Sequence, residues 1–368
     1  MQSQYFASYI PITREVAVKT SGGKEPEVLE LDAFGLMKIL KSGDSLWLMM
    51  GSTNAAVAFG AFRRGVEVHQ ISYLRASSKL KLQQHDEGDN SGKKHKLTAD
   101  DVFVLASGHP DLFYSVTSAQ SEVLEIIANG NEFFDAMEAR KAYANLARSR
   151  IQQNAVMYGR AMGADITTLE ELEELVQKQL GIKEKKPADQ SFQILLAREA
   201  QFGNRLDSTV KKSNMFNHIF GSVDGIGPKI AARFITAIER IERFERPEDL
   251  SNYAGMLPRG IKGKMPSRRN SKGATLSRDP GLNTACFLFQ EQMFRYGRNT
   301  ELGQMLIKQV QRNCPCAKEE RRKDAELRKK YSGAVKEARI AVTRYLLEKI
   351  IWPRWNEYMA MKTASAHQ

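Results

Sequence analysis

The sequence predicts an α/β domain with a mixed sheet, followed by a helical arm and an all-α C-terminal domain. Three observations carry this. Residues 45–72 run apolar strand, small-residue helix, apolar strand, which is a βαβ succession. Strand patterns disappear between 130 and 215, where Ala-rich and amphipathic helical stretches take over. Beyond Asn214, helices are punctuated by Gly225-Ile226-Gly227-Pro228 and by a long basic segment.

FASYI (6–10) and REVAVKT (14–20) read as extended, and Ser-Gly-Gly at 21–23 is a turn signal before EVLELD. DAFGLMKIL (32–40) is a helix that Asp32 can cap. SLWLMM (45–50) is a continuous apolar run, as expected of a strand buried on both faces. AAVAFGAFRRG (55–65) is a helix stopped by Gly65, and VEVHQIS (66–72) is the next strand. Residues 84–98 are a polar loop. ADDVFVLASG (99–108) is a helix whose Asp100 and Asp101 suit the positive end of its dipole.

In the arm, helices are expected over 138–163, 169–181 and 191–213, with a polar break at 183–190. Two long helices around a short one suggest a helical hairpin or coiled-coil arm, a part that spaces domains or pairs chains; a plain helical core has the same pattern. After Asn214 the reading is helix, tight loop, helix, then the basic segment. Further helices follow over 282–297, 300–313 and 318–351. The mixed-sign KEERRKDAELRKK is a solvated helix face.

Composition narrows the function. The chain has 368 residues, 42% hydrophobic and 27% charged, enough to bury a core. Lys plus Arg outnumber Asp plus Glu by 55 to 43, a net charge of +12. That balance favours polyanionic partners, nucleic acid first and an anionic membrane second. No apolar run suits a bilayer span, and the first residues do not resemble a signal peptide. Three cysteines, Cys286, Cys314 and Cys316, are too few for a disulfide framework and suggest a reducing cytoplasm. Cys314-Pro-Cys316 lacks a second pair at finger spacing, so no metal site is expected and these cysteines are read as packing residues. No phosphate-binding P-loop is present.

Gly225-Ile226-Gly227-Pro228, between two helices, has the pattern of a helix-hairpin-helix. Glycines let a backbone approach a phosphate, and the next helix offers free N–H groups, with Lys229 adding a charge. Such contacts position DNA without reading its sequence. An ordinary αα turn with Pro at the first helical position shares the pattern. The segment 258–278 holds Arg259, Lys262, Lys264, Arg268, Arg269, Lys272 and Arg278, and no acid. It reads as a loop that is either solvated or ordered by nucleic acid.

The string from Gly225 to Arg259, GIGPKIAARFITAIERIERFERPEDLSNYAGMLPR, resembles the DEDD transposases. So does KEARIAVTRYLLEKII at 336–351. These are the bridge-RNA-guided insertion-sequence recombinases, which include the Piv pilin-gene invertase. The resemblance covers 216–285 and 333–351 and follows the order of elements over 1–130. It implies a RuvC-like (RNase H-like) domain over 1–128, a coiled-coil arm over 129–215 and a helix-hairpin-helix transposase domain over 216–368. It also implies DNA and a structured guide-type RNA as partners, a homo-oligomer, no membrane, and a cytoplasmic, nucleoid-associated setting.

The family's four carboxylates fall here at Ser8, Leu48, Thr98 and Asp101, so Asp101 alone keeps one. Several carboxylates are needed to hold Mg²⁺. No cofactor is therefore expected, with Mg²⁺ implied only if Glu67, Asp86 or Asp100 rebuild the acidic site. The family's nucleophilic serine corresponds to Ser267, beside Arg268 and Arg269, where the family has Gly at the Arg268 position. Two functions compete: a nucleic-acid-binding protein with its catalytic acids largely gone, and an active serine recombinase. A helical tethering scaffold would suit the arm but not the basic segment.

Overall fold

A computed structural model describes residues 2–8, 15–20, 26–73, 75–80, 97–158, 160–161, 164–165, 168–181, 187–256, 279–316, 320 and 324–365. They form two compact units, one of residues 1–128 with 210–368 and one of 129–209.

The first unit opens with strands β1 (Ser3–Ala7), β2 (Glu15–Thr20) and β3 (Glu27–Glu30), helix α1 (Ala33–Ile39), strand β4 (Ser45–Met49), helix α2 (Ser52–Arg63) and strand β5 (Glu67–Ile71). Helix α3 (Ala99–Gly108) and the short strand β6 (Tyr114–Ser115) follow. Among the described residues six strands pair in the order β3-β2-β1-β4-β5-β6. β1, β4 and β5 are parallel, with Ala7 opposite Leu48 and Leu48 opposite Gln70, while β2, β3 and β6 are antiparallel to their neighbours. The mixed sheet is as expected.

Central position explains the apolar run of β4. Leu46, Leu48 and Met49 are fully buried. Trp47 stacks on His69 with centroids 4.0 Å apart and meets Phe113 edge-on. Helix α3 covers β1, β2 and β4, burying Val102 and Leu105 against Phe6, Ala17 and Met49. Two strands escape the sequence patterns. β3 (Glu-Val-Leu-Glu) is mostly exposed, with only Leu29 half-buried, and β6 has only two residues.

Helix α4 (Ser118–Tyr158) runs 41 residues, about 60 Å, and starts well before the Ala-rich stretch that signals it. In the second unit, strands β7 (Arg160–Ala161) and β8 (Ala164–Asp165) pair where a continuing helix was expected. The helix ends at Tyr158 rather than at Gly163. Helices α5 (Leu169–Gln179) and α6 (Gln190–Lys212) complete the arm. Its core joins Ile151, Leu172, Val176, Leu180 and Phe192, and Tyr143 donates its hydroxyl to Asp189. Thr168 and Glu171 cap α5 reciprocally.

The first unit continues with α7 (Asn214–Ile219), α8 (Pro228–Ile238), α9 (Pro247–Tyr253), α10 (Pro280–Arg295), α11 (Glu301–Asn313) and α12 (Ala325–Tyr345). Within the span 318–351 expected as one helix, Asp324 caps a helix start at Ala325. Beyond α12 a π-helical turn over Leu346–Ile351 leads into α13 (Trp352–Ser365). Pro353 explains that turn. It lacks an N–H and its ring crowds the preceding turn, and a widened turn, with Trp352 N–H donating to Leu347 O, accommodates it. Trp355, Phe220, Phe234 and Phe289 are the largest fully buried side chains of this helical region.

Candidate nucleic-acid interface

The turn between α7 and α8 is built from both ends. Ser213 caps α7 by accepting from Phe216 N–H at 3.3 Å, and its own hydroxyl donates to Glu122 at 3.0 Å. Glu122 also accepts from the Tyr358 hydroxyl at 2.8 Å, tying α4, α7 and α13 together. Arg354, from α13, donates to Ile219 O and to the Ser222 hydroxyl. Val223 and Ile226 are buried beneath the turn, leaving Asp224, Gly225, Gly227 and Lys229 exposed.

The two glycines do different work. Gly225 sits at φ +81°, and a Cβ there would collide with Cε of Met293. Gly227 is the N-cap of α8 at φ −78°, a conformation any residue adopts, and a Cβ there would meet open space. Its carbonyl accepts from both Ile230 and Ala231 N–H at 3.0 Å. Helix α8 holds the turn by burying Ala231, Ala232, Phe234, Ile235 and Ile238, a helical stripe facing α10.

Gly225→Ala is expected to destabilise the protein by about 1–2 kcal/mol, because the left-handed backbone penalises a Cβ. Gly227→Ala should cost less, about 0.5–1 kcal/mol, because Gly is preferred over Ala at an N-cap. Chemical denaturation of both variants checks the contrast; equal losses would contradict it.

Of the family's carboxylate positions, Ser8 and Leu48 stand on the paired strands β1 and β4 or next to them, and Thr98 and Asp101 stand at the start of α3, which packs on those strands. Ser8 follows β1 and is fully buried, as is Leu48 in β4. Buried Asn54 donates from Nδ2 to Ser8 O at 2.5 Å and to Met49 O at 2.9 Å, which clamps the ends of β1 and β4 together. Asp101 caps α3: its Oδ2 accepts from Thr98 N–H at 2.8 Å and from the Thr98 hydroxyl at 3.0 Å, and Thr98 Oγ1 accepts from Asp101 N–H. Asp100 is exposed beside it. Glu67 starts β5 at the opposite end of the strands, accepting from the Ser45 hydroxyl at 3.3 Å. Among the described residues no three His, Cys, Asp or Glu side chains gather where a metal could sit. Asp86, Ser267, Arg259, Lys262, Lys264, Arg268, Arg269, Lys272 and Arg278 lie outside the described residues.

Sequence reasoning missed the joint behind the turn. At the end of α8, Glu239 has φ +56°. Next to it, buried Arg240 donates to Ser115 O at 3.1 Å and lies over the Tyr114 ring at 5.0 Å. Gln120 donates to Glu239 O at 3.1 Å. Burial pushes the Glu239 carboxyl from 4.5 up to about 7, with Arg243 opposing and Asp279 adding to the rise. Burial likewise lowers Arg240 to about 10. The local signals in the sequence are the adjacent Glu239-Arg240 pair and Arg243 four residues on, whereas Ser115, Tyr114 and Gln120 lie more than a hundred residues away.

No helix among the described residues is long and apolar enough to cross a membrane. No curated protein matches the chain. The family model described as Transposase IS116/IS110/IS902 family matches residues 217–274, from within α7 through the glycine turn, α8 and α9 into the basic segment. Residues 217–274 are therefore similar to the transposase domain of the IS116/IS110/IS902 family, which supports a transposase-related function.

Proposed function

We propose that this chain is a DNA-binding member of the transposase family whose catalytic acids are largely gone, working as a homo-oligomer with a structured guide-type RNA. The observation that carries the reading is the replacement of the expected acids by Ser8 and Leu48, with Asp101 committed to capping α3. Arginines near Ser267 neutralise a phosphate but do not take a serine proton at neutral pH.

Several features support the parts of this proposal. A leading antiparallel strand pair extended by parallel β4 and β5 suits a RuvC-like domain. The exposed Gly227 N-cap, with open space where a Cβ would stand, suits a helix-hairpin-helix contact to a DNA phosphate, with Lys229 beside it. Exposed Val156, Met157, Leu169 and Ile194 in the arm suit pairing between chains. The alternative is an active recombinase in which Ser267 attacks DNA beside a rearranged acidic site.

A suicide DNA substrate separates the two. With Mg²⁺ and RNA supplied, the purified protein is expected to bind the DNA yet leave no protein-linked band on a denaturing gel. A linked band that disappears in Ser267→Ala would establish the recombinase instead. A binding assay in the same buffer shows that the complex has formed.

A further inference from the structure

We propose that Cys314 and Cys316 form a thiol–disulfide exchange site that reacts with a low-molecular-weight disulfide. From sequence the pair reads as packing residues. In the structure no disulfide joins them, and their sulfurs stand 2.6 Å apart. A disulfide bond is about 2.05 Å long, so the sulfurs need to close by only about half an ångström.

The chain holds them in this position. Cys314 ends α11, its N–H donating to Val310 O at 2.9 Å, and leaves the helix with an extended backbone. Pro315 has a fixed φ and brings Cys316 back, so that its sulfur lies 3.9 Å from Cys314 O. A proline between the two cysteines also leaves less chain entropy to lose when the ring closes.

Geometry favours this chemistry over a metal. Two thiolates on tetrahedral zinc, each at about 2.3 Å, place their sulfurs about 3.7 Å apart. The pair would have to open by more than an ångström. Among the described residues no third ligand accompanies it.

Access and selectivity follow from the surroundings. Both cysteines line a cavity of about 630 Å³, walled by Met293, Leu306, Val310 and Tyr331 among others. That volume is within the range of small-molecule sites. Cys314 is buried and Cys316 half-buried, so an incoming reagent meets Cys316 first. Cys286 is fully buried and burial pushes its thiol far up, which removes it from the chemistry.

The exchange runs in two balanced steps. The Cys316 thiolate attacks one sulfur of the small disulfide, whose S–S bond breaks and releases one small thiol. The Cys314 thiolate then attacks Cys316 Sγ in the mixed disulfide and displaces the second small thiol. The protein's two thiols give up two electrons and two protons, and the small disulfide is reduced to two thiols.

Oxidised glutathione is the probe. The reduced full-length protein is incubated with it, quenched with iodoacetamide and read by intact mass and non-reducing peptide mapping. The expected product has lost two hydrogens, links Cys314 to Cys316 within one chain, alkylates Cys286 only after unfolding, and returns to the thiol form with excess reduced glutathione. Cys314→Ser should instead keep one glutathione on Cys316. The proposal is overturned if the wild-type protein keeps both thiols alkylatable, if the glutathione adduct persists on it, or if the disulfide joins two chains. Zinc alone, bound one per chain in equilibrium dialysis and blocking the oxidation, would also overturn it in favour of a metal site.

Discussion

Neutralising the seven basic residues of 258–278 is expected to weaken DNA binding by roughly 10²–10³-fold near physiological salt, whatever the DNA sequence. These residues place seven cations in 21 positions with no acid. If all met phosphates, the logarithm of the binding constant would fall with a slope of about −6 against the logarithm of salt, and half of them would give about −3. Each contact contributes through counterion release, so affinity and slope must fall together. Arg268→Ala with Arg269→Ala should reduce the slope by about 2 on its own. Fluorescence anisotropy over a salt series, with two unrelated duplexes, measures both quantities. An unchanged slope would mean the segment stays solvated when DNA binds. A loss confined to one duplex would mean these residues read bases rather than backbone.

What the sequence makes legible is what local chemistry decides. The apolar run at 45–50, the Gly65 stop and the Gly225-to-Pro228 turn carry their structural reason within a few residues, and each stands where its pattern puts it. β3 and β6 do not. One is mostly exposed and the other two residues long, and each pairs with a neighbouring strand. The start of α4 and the π turn at 346–351 depend in the same way on packing and on Pro353 downstream. Among the site residues, Asp101 carries two local meanings. Thr98-x-x-Asp101 reads by resemblance as the place of a metal-binding pair and locally as a helix cap, and the hydrogen bonds realise the cap. Asn54, Glu122 and Arg240 have no local signature, because their partners are 46, 91 and 125 residues away.

The joint at Glu239 should make stability fall as pH rises from about 4.5 through about 7. Glu239 lies in a left-handed backbone conformation with its side chain mostly buried, which disfavours the carboxylate and raises the carboxyl to about 7. Its ion pair with Arg243, at 3.9 Å, is too long to reverse this. Between pH 4.5 and 7 the folded protein therefore holds a proton that the unfolded chain has released. The number of bound protons is larger in the native state, so the derivative of unfolding free energy with pH is negative. The contribution is fully present below pH 4.5 and gone above about 7, a loss of up to about 3 kcal/mol. Glu239→Gln keeps the neutral shape without the titration. It should match the wild-type protein at pH 4.5 and exceed its stability at pH 8 by up to the same about 3 kcal/mol. Urea denaturation of both proteins across this range gives the difference directly, with the other titrating groups cancelling. A flat difference would mean that the carboxylate is solvated in the folded state. A difference of opposite sign would mean that Arg243 and Arg240 hold it charged.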